Sequence, residues 1–481
     1  MATAPKLPQS QKKPTQAPTS ISATSAVLVA GPVPGTRITE GYARLVARDV
    51  YFWSWPMMNI YNKRQAFAKA PSPGLMGGIV PFAPPNRLAM LSDYIDPAER
   101  IVACPNQDVV YGGGALALDE SPAVMQVPDF GNRFWVYQVV DVRTDSFADL
   151  GAMYGTKPGF YLLVGPDWDG DTPSGFAGVF RSKTNTGFVA PRVFQDDTPE
   201  DKRAVQSVLS GIDMYPLSMF DGKMKTQDWT KLPKFPSAAE GAAETKWVFP
   251  DKFVDQLPAV FQDAPPLPGE EARYKQVLAV IDAAKQDPAL KNAMIDEATK
   301  TEKELIDPLL EFRNACIPIA HNWSTQTNGA AFGTDYFTRT AIGKSNILVN
   351  KPNETKYFYQ DLDENGERLN GSKRYTVTFT AGEVPPVRGF WSLTLYNQYH
   401  FFEPNSIKRY SVGTKNRDLV TSSDGSLTIY VQPDAPTDPA QRANWLPSPK
   451  DTNFSLFIRA YWPQEAVTSG KWTPPAVLPA R

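Results

Sequence analysis

Hydrophobic and polar positions alternate with a period of two in two separate blocks of this chain, and recur at helical spacing in two others. From Thr39 to about Phe67, Tyr42, Leu45, Val46, Val50, Trp53 and Tyr61 fall three or four residues apart. That spacing predicts a helix, or a helix pair interrupted at Pro56, packed on the β-structure that follows. Between Ile101 and Phe194 the pattern shifts to short runs such as Val136–Val140 and Gly159–Val164, closed by Gly, Pro, Asp or Asn, which predict antiparallel strands. Pro199 to Leu209 reads as a short helix with Thr198 as N-cap and Glu200 and Asp201 in the first turn.

A Pro- and Lys-rich connector runs from Met214 to Pro268, and Glu270 to Arg313 carries apolar stripes broken near Pro288 and Pro308. Two or three helices are expected there, between the β-blocks. Alternation returns from about Asn350 to Trp472, with runs at Tyr375–Phe379, Trp391–Tyr396, Ser426–Val431 and Phe454–Tyr461. Asn365-Gly366 and Asp424-Gly425 supply hairpin-type turns beside them. The expected organisation is a flexible tail over 1–36, a β-sandwich with an N-terminal helix over 37–213, a connector and helical insertion over 214–345, and a second β-sandwich over 346–481. The fold class is mainly β with a helical insertion, the two sandwiches being antiparallel and jelly-roll-like.

Composition changes this picture little. A chain of 481 residues has room for two or three domains. Its 45 prolines and 32 glycines favour short elements joined by turns. A net charge of −2 provides no basic field for a phosphate backbone, so nucleic acid is not an expected partner. No apolar run reaches the roughly 18 to 20 residues of a membrane span, and a soluble protein is expected. The apolar stretch Ala26–Ala30 is shorter than a secretory core of about 7 to 15 residues, which favours a tail over a leader. Cys104 and Cys316 exclude a disulfide framework and leave one bridge open.

Several motifs are specific enough to carry a family resemblance. In the first half they are Tyr51–Met57, Pro105–Tyr111, Val127-Pro128-Asp129, Arg133-Phe134 and Gly159–Pro166. In the second half they are Asp361-Leu362-Asp363, Leu369-Asn370-Gly371, Phe390–Tyr396, Arg409-Tyr410-Ser411, Asp424–Tyr430, Asn444–Pro447 and Arg459–Pro463. The first set resembles the DUF1254 family and the second the DUF1214 family, together spanning about residues 40 to 475. The resemblance implies two jelly-roll sandwiches with a helical region between them, similar in layout to double jelly-roll capsid proteins, and implies little about activity. One position departs from the family pattern: Val109 stands where a threonine is usual, followed by Gly112-Gly113-Gly114.

Candidate chemistry is sparse. His321 and His400 are the only histidines and neither belongs to a spaced cluster, so no metal site is expected; no cofactor motif is present either. Asp361–Gly366 lacks the later ligands of a calcium loop and reads as a hairpin turn. Gly112-Gly113-Gly114 reads as a bulge or close backbone approach, with a ligand contact as the alternative. The best acid–base set is Asp108, Tyr111 and Arg133, with Asn106, Asp141 and Asp145 nearby as binding groups; the competing reading makes Asp108 a turn cap and Arg133 half of a structural ion pair. Trp391, Tyr396, His400, Arg409 and Trp445 offer an aromatic substrate pocket or, alternatively, core and seam. The expected function is a cofactor-independent enzyme acting on a small molecule, a hydrolase or lyase using carboxylate and tyrosine acid–base groups. The alternative is a non-enzymatic homo-oligomeric binding or assembly protein, which rests on fold analogy.

Overall fold

A computed structural model describes residues 31–33, 35–237 and 241–480. The tail expected over 1–36 lies almost wholly outside them. The described chain is mainly β, with helices gathered around one long N-terminal helix.

That helix, Glu40–Phe67, is capped by Thr39 and runs unbroken through Pro56, so of the two expected readings the single helix forms and the pair does not. Proline at 56 removes the N–H that Phe52 O would have accepted. The hydroxyl of Thr340, on the helix Tyr336–Ser345, donates to that carbonyl at 3.0 Å instead. A tertiary contact thus satisfies the group whose exposure would otherwise end the helix. Beyond the expected packing on the first sandwich, the long helix also carries the helical insertion. Val46, Val50 and Trp53 share one apolar core with Val277, Val280 and Met294 of the helices Glu271–Gln286 and Pro288–Thr301, and with Ala115, Phe188 and Ala190 of the first sandwich.

In the first sandwich, the strands Val109–Ala117, Thr186–Phe194 and Trp135–Asp141 form the centre of a five-stranded antiparallel sheet. A second sheet is built from Ala123–Val127, Gly159–Val164, Phe176–Arg181 and Asp213–Pro216. Because Asp213–Pro216 pairs with Ala123–Val127, the boundary expected after residue 213 falls inside a strand. Met125, Val127 and Leu163 of one sheet meet Val110, Tyr137 and Val139 of the other in a shared core. The helix Pro199–Ser210 forms as its cap predicts, Thr198 Oγ1 accepting from Asp201 N.

The second sandwich pairs a six-stranded sheet with a four-stranded one. Thr355–Gln360, Phe454–Tyr461 and Trp391–Asn397 centre the first; Leu427–Gln432 and Arg374–Phe379 centre the other. Leu393, Leu456 and Ile458 interlock with Val377, Ile429 and Val431. The short strands Ile317–Pro318 and Ser324–Thr325 extend the six-stranded sheet, so this domain begins before the expected residue 346. The turns at Asn365-Gly366 and Asp424-Gly425 are present, both glycines having positive φ. Cys104 and Cys316 are free thiols.

The glycine triplet follows one of its two expected readings. Gly114 faces Val189 and Tyr111 faces Arg192 in unbroken register, so there is no bulge. Close approach is what the glycines provide: a Cβ on Gly114 would lie 2.3 Å from Arg87 O and 2.7 Å from Met214 Cε. Gly114→Ala is expected to destabilise the protein by about 2 kcal/mol, since a backbone oxygen cannot rotate away. Urea denaturation checks this, and an unchanged midpoint would contradict it.

Candidate functional site

One mostly apolar cavity of about 90 Å³ lies where the long helix, the first sandwich and the second sandwich meet. Phe67 comes from the helix, Gly112, Gly113 and Phe188 from the five-stranded sheet, Ile95 and Ile101 from the loop before it, and Leu348 and Tyr357 from the second sandwich side. Without side chains at 112 and 113, the strand brings bare backbone to the cavity wall.

Four side chains of lysine, arginine or glutamate type line this cavity although each is almost wholly buried: Lys63, Glu99, Arg192 and Arg459. Lys63 extends from the last turns of the long helix, and its Nζ has no hydrogen-bond partner; the ring of Trp247 lies 5.5 Å away. Burial pulls its pKa down, opposed by the charges of Glu244 and Glu99. Glu99 is pushed up to about 8 by burial, against the donation of Val102 N and Ile101 N to its Oε1. Its Oε2 is unpartnered. At neutral pH this carboxyl holds its proton. Lys63 and Glu99 thus bring a weakened ammonium and a carboxylic acid to the lining of one cavity, the kinds of group that proton transfer near neutral pH uses.

Arg192 and Arg459 are held by neutral groups. Arg192 donates from Nη2 to Gln138 Oε1 at 2.6 Å and Leu348 O at 2.9 Å, and lies over the Tyr111 ring. Arg459 donates to Thr394 Oγ1, Cys104 O and Tyr396 OH, with its guanidinium 4.0 Å from the Phe457 ring centre. Burial raises the phenols of Tyr111, Tyr396 and Tyr461, which are uncharged.

The structure separates the residues that sequence reasoning grouped as acid–base machinery. Tyr111 lines the cavity. Asp108 does not: its Oδ1 accepts from Ser411 Oγ at 2.9 Å, and Lys415 Nζ stands 3.7 Å away, so it ties the two sandwiches together. It is not the expected cap of the glycine turn. Arg133 lies outside the cavity in an ion pair with Asp201 at 2.5 Å and donates to Phe194 O, the structural tie that was its competing reading. Asn106 donates to Tyr461 OH at 2.6 Å and accepts from Asp108 N at 2.5 Å.

The other binding candidates are likewise dispersed. Asp141 caps its own turn, accepting from Arg143 N and Asp145 N; burial and the neighbouring Asp145 raise it to about 6. Asp145 accepts from Phe332 N, Gly333 N and Arg339 Nη2. Trp391 packs on Phe379 in the second core. Tyr396 donates to Pro105 O and receives from Arg459 just behind the cavity. His400 stacks on Phe312 with Nδ1 3.2 Å from Ser345 O, and burial lowers it to about 4, which keeps it neutral. Arg409 bonds Ala443 O and Asp418 near the surface, and Trp445 donates to Gln432 O. Of these five only Arg409 and Trp445 meet, Arg409 Nη1 donating to Trp445 O at 3.3 Å beside a surface depression that both line, while Trp391, Tyr396 and His400 lie elsewhere in core and seam. Among the described residues no cluster of His, Cys, Asp or Glu could hold a metal, and no helix is long and apolar enough to cross a membrane.

Lys63, Glu99 and Arg192 escaped sequence reasoning, and Arg459 entered only within a family motif. A signal existed for Lys63: it falls on the buried stripe between Ile60 and Phe67, where a solvated lysine does not belong. Arg192 and Arg459 sit inside strands buried along nearly their whole length. Glu99, in Asp96-Pro97-Ala98-Glu99-Arg100, looks like any polar loop.

The profile described as "Protein of unknown function (DUF1254)" matches residues 85–216, and "Protein of unknown function (DUF1214)" matches residues 354–465. No curated protein matches the chain. A protein from Vibrio parahaemolyticus, known from its crystal structure, superposes with a TM-score of 0.61 at 20% identity, covering 91% of this chain and all of that one, which shows a shared fold. An uncharacterised protein from Burkholderia cenocepacia gives a TM-score of 0.43 at 12% identity, covering 90% of this chain and 88% of that one.

Proposed function

Since this chain is a DUF1254/DUF1214 domain-containing protein, a kind defined by its two domains and not by an activity, we propose a function from its cavity: a cofactor-independent enzyme of hydrolase or lyase type, acting by proton transfer on a small, largely apolar, carbonyl-bearing compound. The observation behind this is the burial, in the lining of one cavity, of a lysine whose Nζ has no partner and a protonated glutamic acid whose Oε2 has none. Such groups are costly to bury and carry no structural hydrogen bond through the atoms in question. In this reading the Lys63 amine, once unprotonated, accepts a proton from the substrate or from a water beside it. The Glu99 carboxyl donates its proton to the developing oxygen charge, and Tyr111 orients the carbonyl. Collapse of the resulting adduct or enol re-forms the carbonyl, breaks the bond to the leaving group, returns the hydroxyl proton to Glu99 and passes the Lys63 proton to the leaving group, so both side chains end as they began. The earlier set of Asp108, Tyr111 and Arg133 contributes only Tyr111.

The competing reading, a homo-oligomeric assembly protein of jelly-roll sandwiches, draws on layout alone. It gives no reason for Lys63 Nζ and Glu99 Oε2 to be buried without partners.

The test is incubation of the purified protein with a metabolite extract, followed by mass spectrometry. Wild type is expected to convert at least one compound that Lys63→Met and Glu99→Gln convert about 100-fold more slowly or not at all. Identical product profiles for wild type and both variants would remove the proposal.

A further inference from the structure

The cavity also carries a charge imbalance that the proton-transfer pair does not explain. Arg192 and Arg459 are 5% and 2% exposed and line the same cavity. A guanidinium stays charged at any pH a protein tolerates, so each brings a fixed positive charge into a low-dielectric space. Neither guanidinium takes part in an ion pair among the described residues, and the groups that bear on them electrostatically are tyrosines and the Cys104 thiol. Burial keeps the phenols of Tyr111, Tyr396 and Tyr461 and the Cys104 thiol uncharged.

Hydrogen bonding is incomplete as well. Of the five N–H donors on each guanidinium, Arg192 directs donors to Gln138, Leu348 and the Tyr461 hydroxyl, and Arg459 places three on Thr394, Cys104 and Tyr396. The Nε of each has no partner. A buried charge left without a counter-ion is strongly unfavourable, and a bound anion removes that penalty while using idle donors. The remaining walls, including Phe67, Val80, Ile101, Phe188 and Leu348, suit an apolar body of only a few carbon atoms.

We infer that the cavity takes a small apolar carboxylic acid as its anion, the carboxylate lying against Arg192 and Arg459 and the hydrocarbon part against the apolar walls. This rests on the reading of the cavity as a substrate site and narrows the substrate class to carboxylates. Arg192 and Arg459 are binding residues here, distinct from the proton-transfer pair.

The probes are butyrate, its uncharged analogue n-butanol, and inorganic phosphate, titrated into the full chain by calorimetry and thermal shift. Butyrate is expected to bind saturably and raise the melting temperature. Butanol is expected to bind at least 10-fold more weakly, phosphate not to compete, and Arg192→Lys to lose about 10-fold in butyrate affinity by breaking the planar fork. Butanol matching butyrate, phosphate displacing it, unchanged affinity in Arg192→Lys, or no saturable butyrate binding would each overturn the inference. The wild-type comparison of the three probes decides the matter even where a variant does not fold. Glu99→Gln separates the two proposals: retained butyrate binding with lost metabolite conversion supports both. Conversion without butyrate binding sinks only the carboxylate inference, and butyrate binding without any Glu99-dependent conversion sinks only the enzyme reading.

Discussion

Replacing Asp145 with alanine is expected to destabilise the protein by about 3–5 kcal/mol. Arg339, its partner at 2.9 Å, has a side chain only 1% exposed. Removing the carboxylate leaves that guanidinium charged, buried and bonded only to Gly333 O, with its Nε already unpartnered. The same carboxylate accepts from Phe332 N and Gly333 N, so three donors lose their acceptor at once. Denaturant unfolding should show a lowered midpoint with an unchanged slope. The double variant Asp145→Ala/Arg339→Met should recover part of the loss, because it removes the stranded charge along with its partner. A single-variant cost under 1 kcal/mol would mean that Arg339 finds water or another acceptor, and the clasp would then be incidental.

Asp145 also illustrates what the sequence could and could not convey. The apolar run Val136–Val140, closed by Asp141, revealed the strand that spans Trp135–Asp141 and the acidic residues at its end, because a short run of strand formers bounded by turn residues is a local signal. Whether Asp145 met a ligand or Arg339 depended on a contact nearly 200 residues along the chain, and no local pattern encodes that. Pro56 failed as a break signal for the same reason, its freed carbonyl being claimed by Thr340 from a distant helix. The turns at Gly366 and Gly425 and the cap at Thr198 were legible because their physics is complete within a few residues. The cavity was the least legible feature. Its charged residues come from a helix, a loop and two sandwiches, and only Lys63 violates a local pattern strongly enough to stand out.

Glu99 gives the other large effect, and its sign is opposite to that of an ordinary surface carboxylate. Folded, it titrates at about 8, pushed up by burial and by Glu244, against 4.5 for an unburied glutamate. The folded chain therefore holds a proton that the unfolded chain releases. Stability from this group is fully present below about 4.5 and is lost as pH rises through 8. Lys63, with its pKa pulled down by burial, works in the reverse sense, its contribution being full above 10.5 and lost as pH falls through the folded value. Arg100 also lowers the Glu99 pKa and stays charged throughout. Comparing wild type with Glu99→Gln at each pH cancels what the two proteins share, while Lys63, whose pKa the Glu99 charge holds up, shifts with the substitution and belongs to the measured difference. Glutamine keeps an oxygen for Ile101 N and Val102 N and cannot ionise. The two proteins should be nearly equal in stability at pH 4.5, and Glu99→Gln should become the more stable as pH rises, by on the order of 4 kcal/mol at pH 8. Denaturation curves across this range decide it, and parallel profiles would show that the carboxyl is already ionised and satisfied in the fold. A variant more stable than wild type has a second use: if it also loses metabolite conversion, unfolding is excluded as the cause, and the buried proton itself is what the reaction needs.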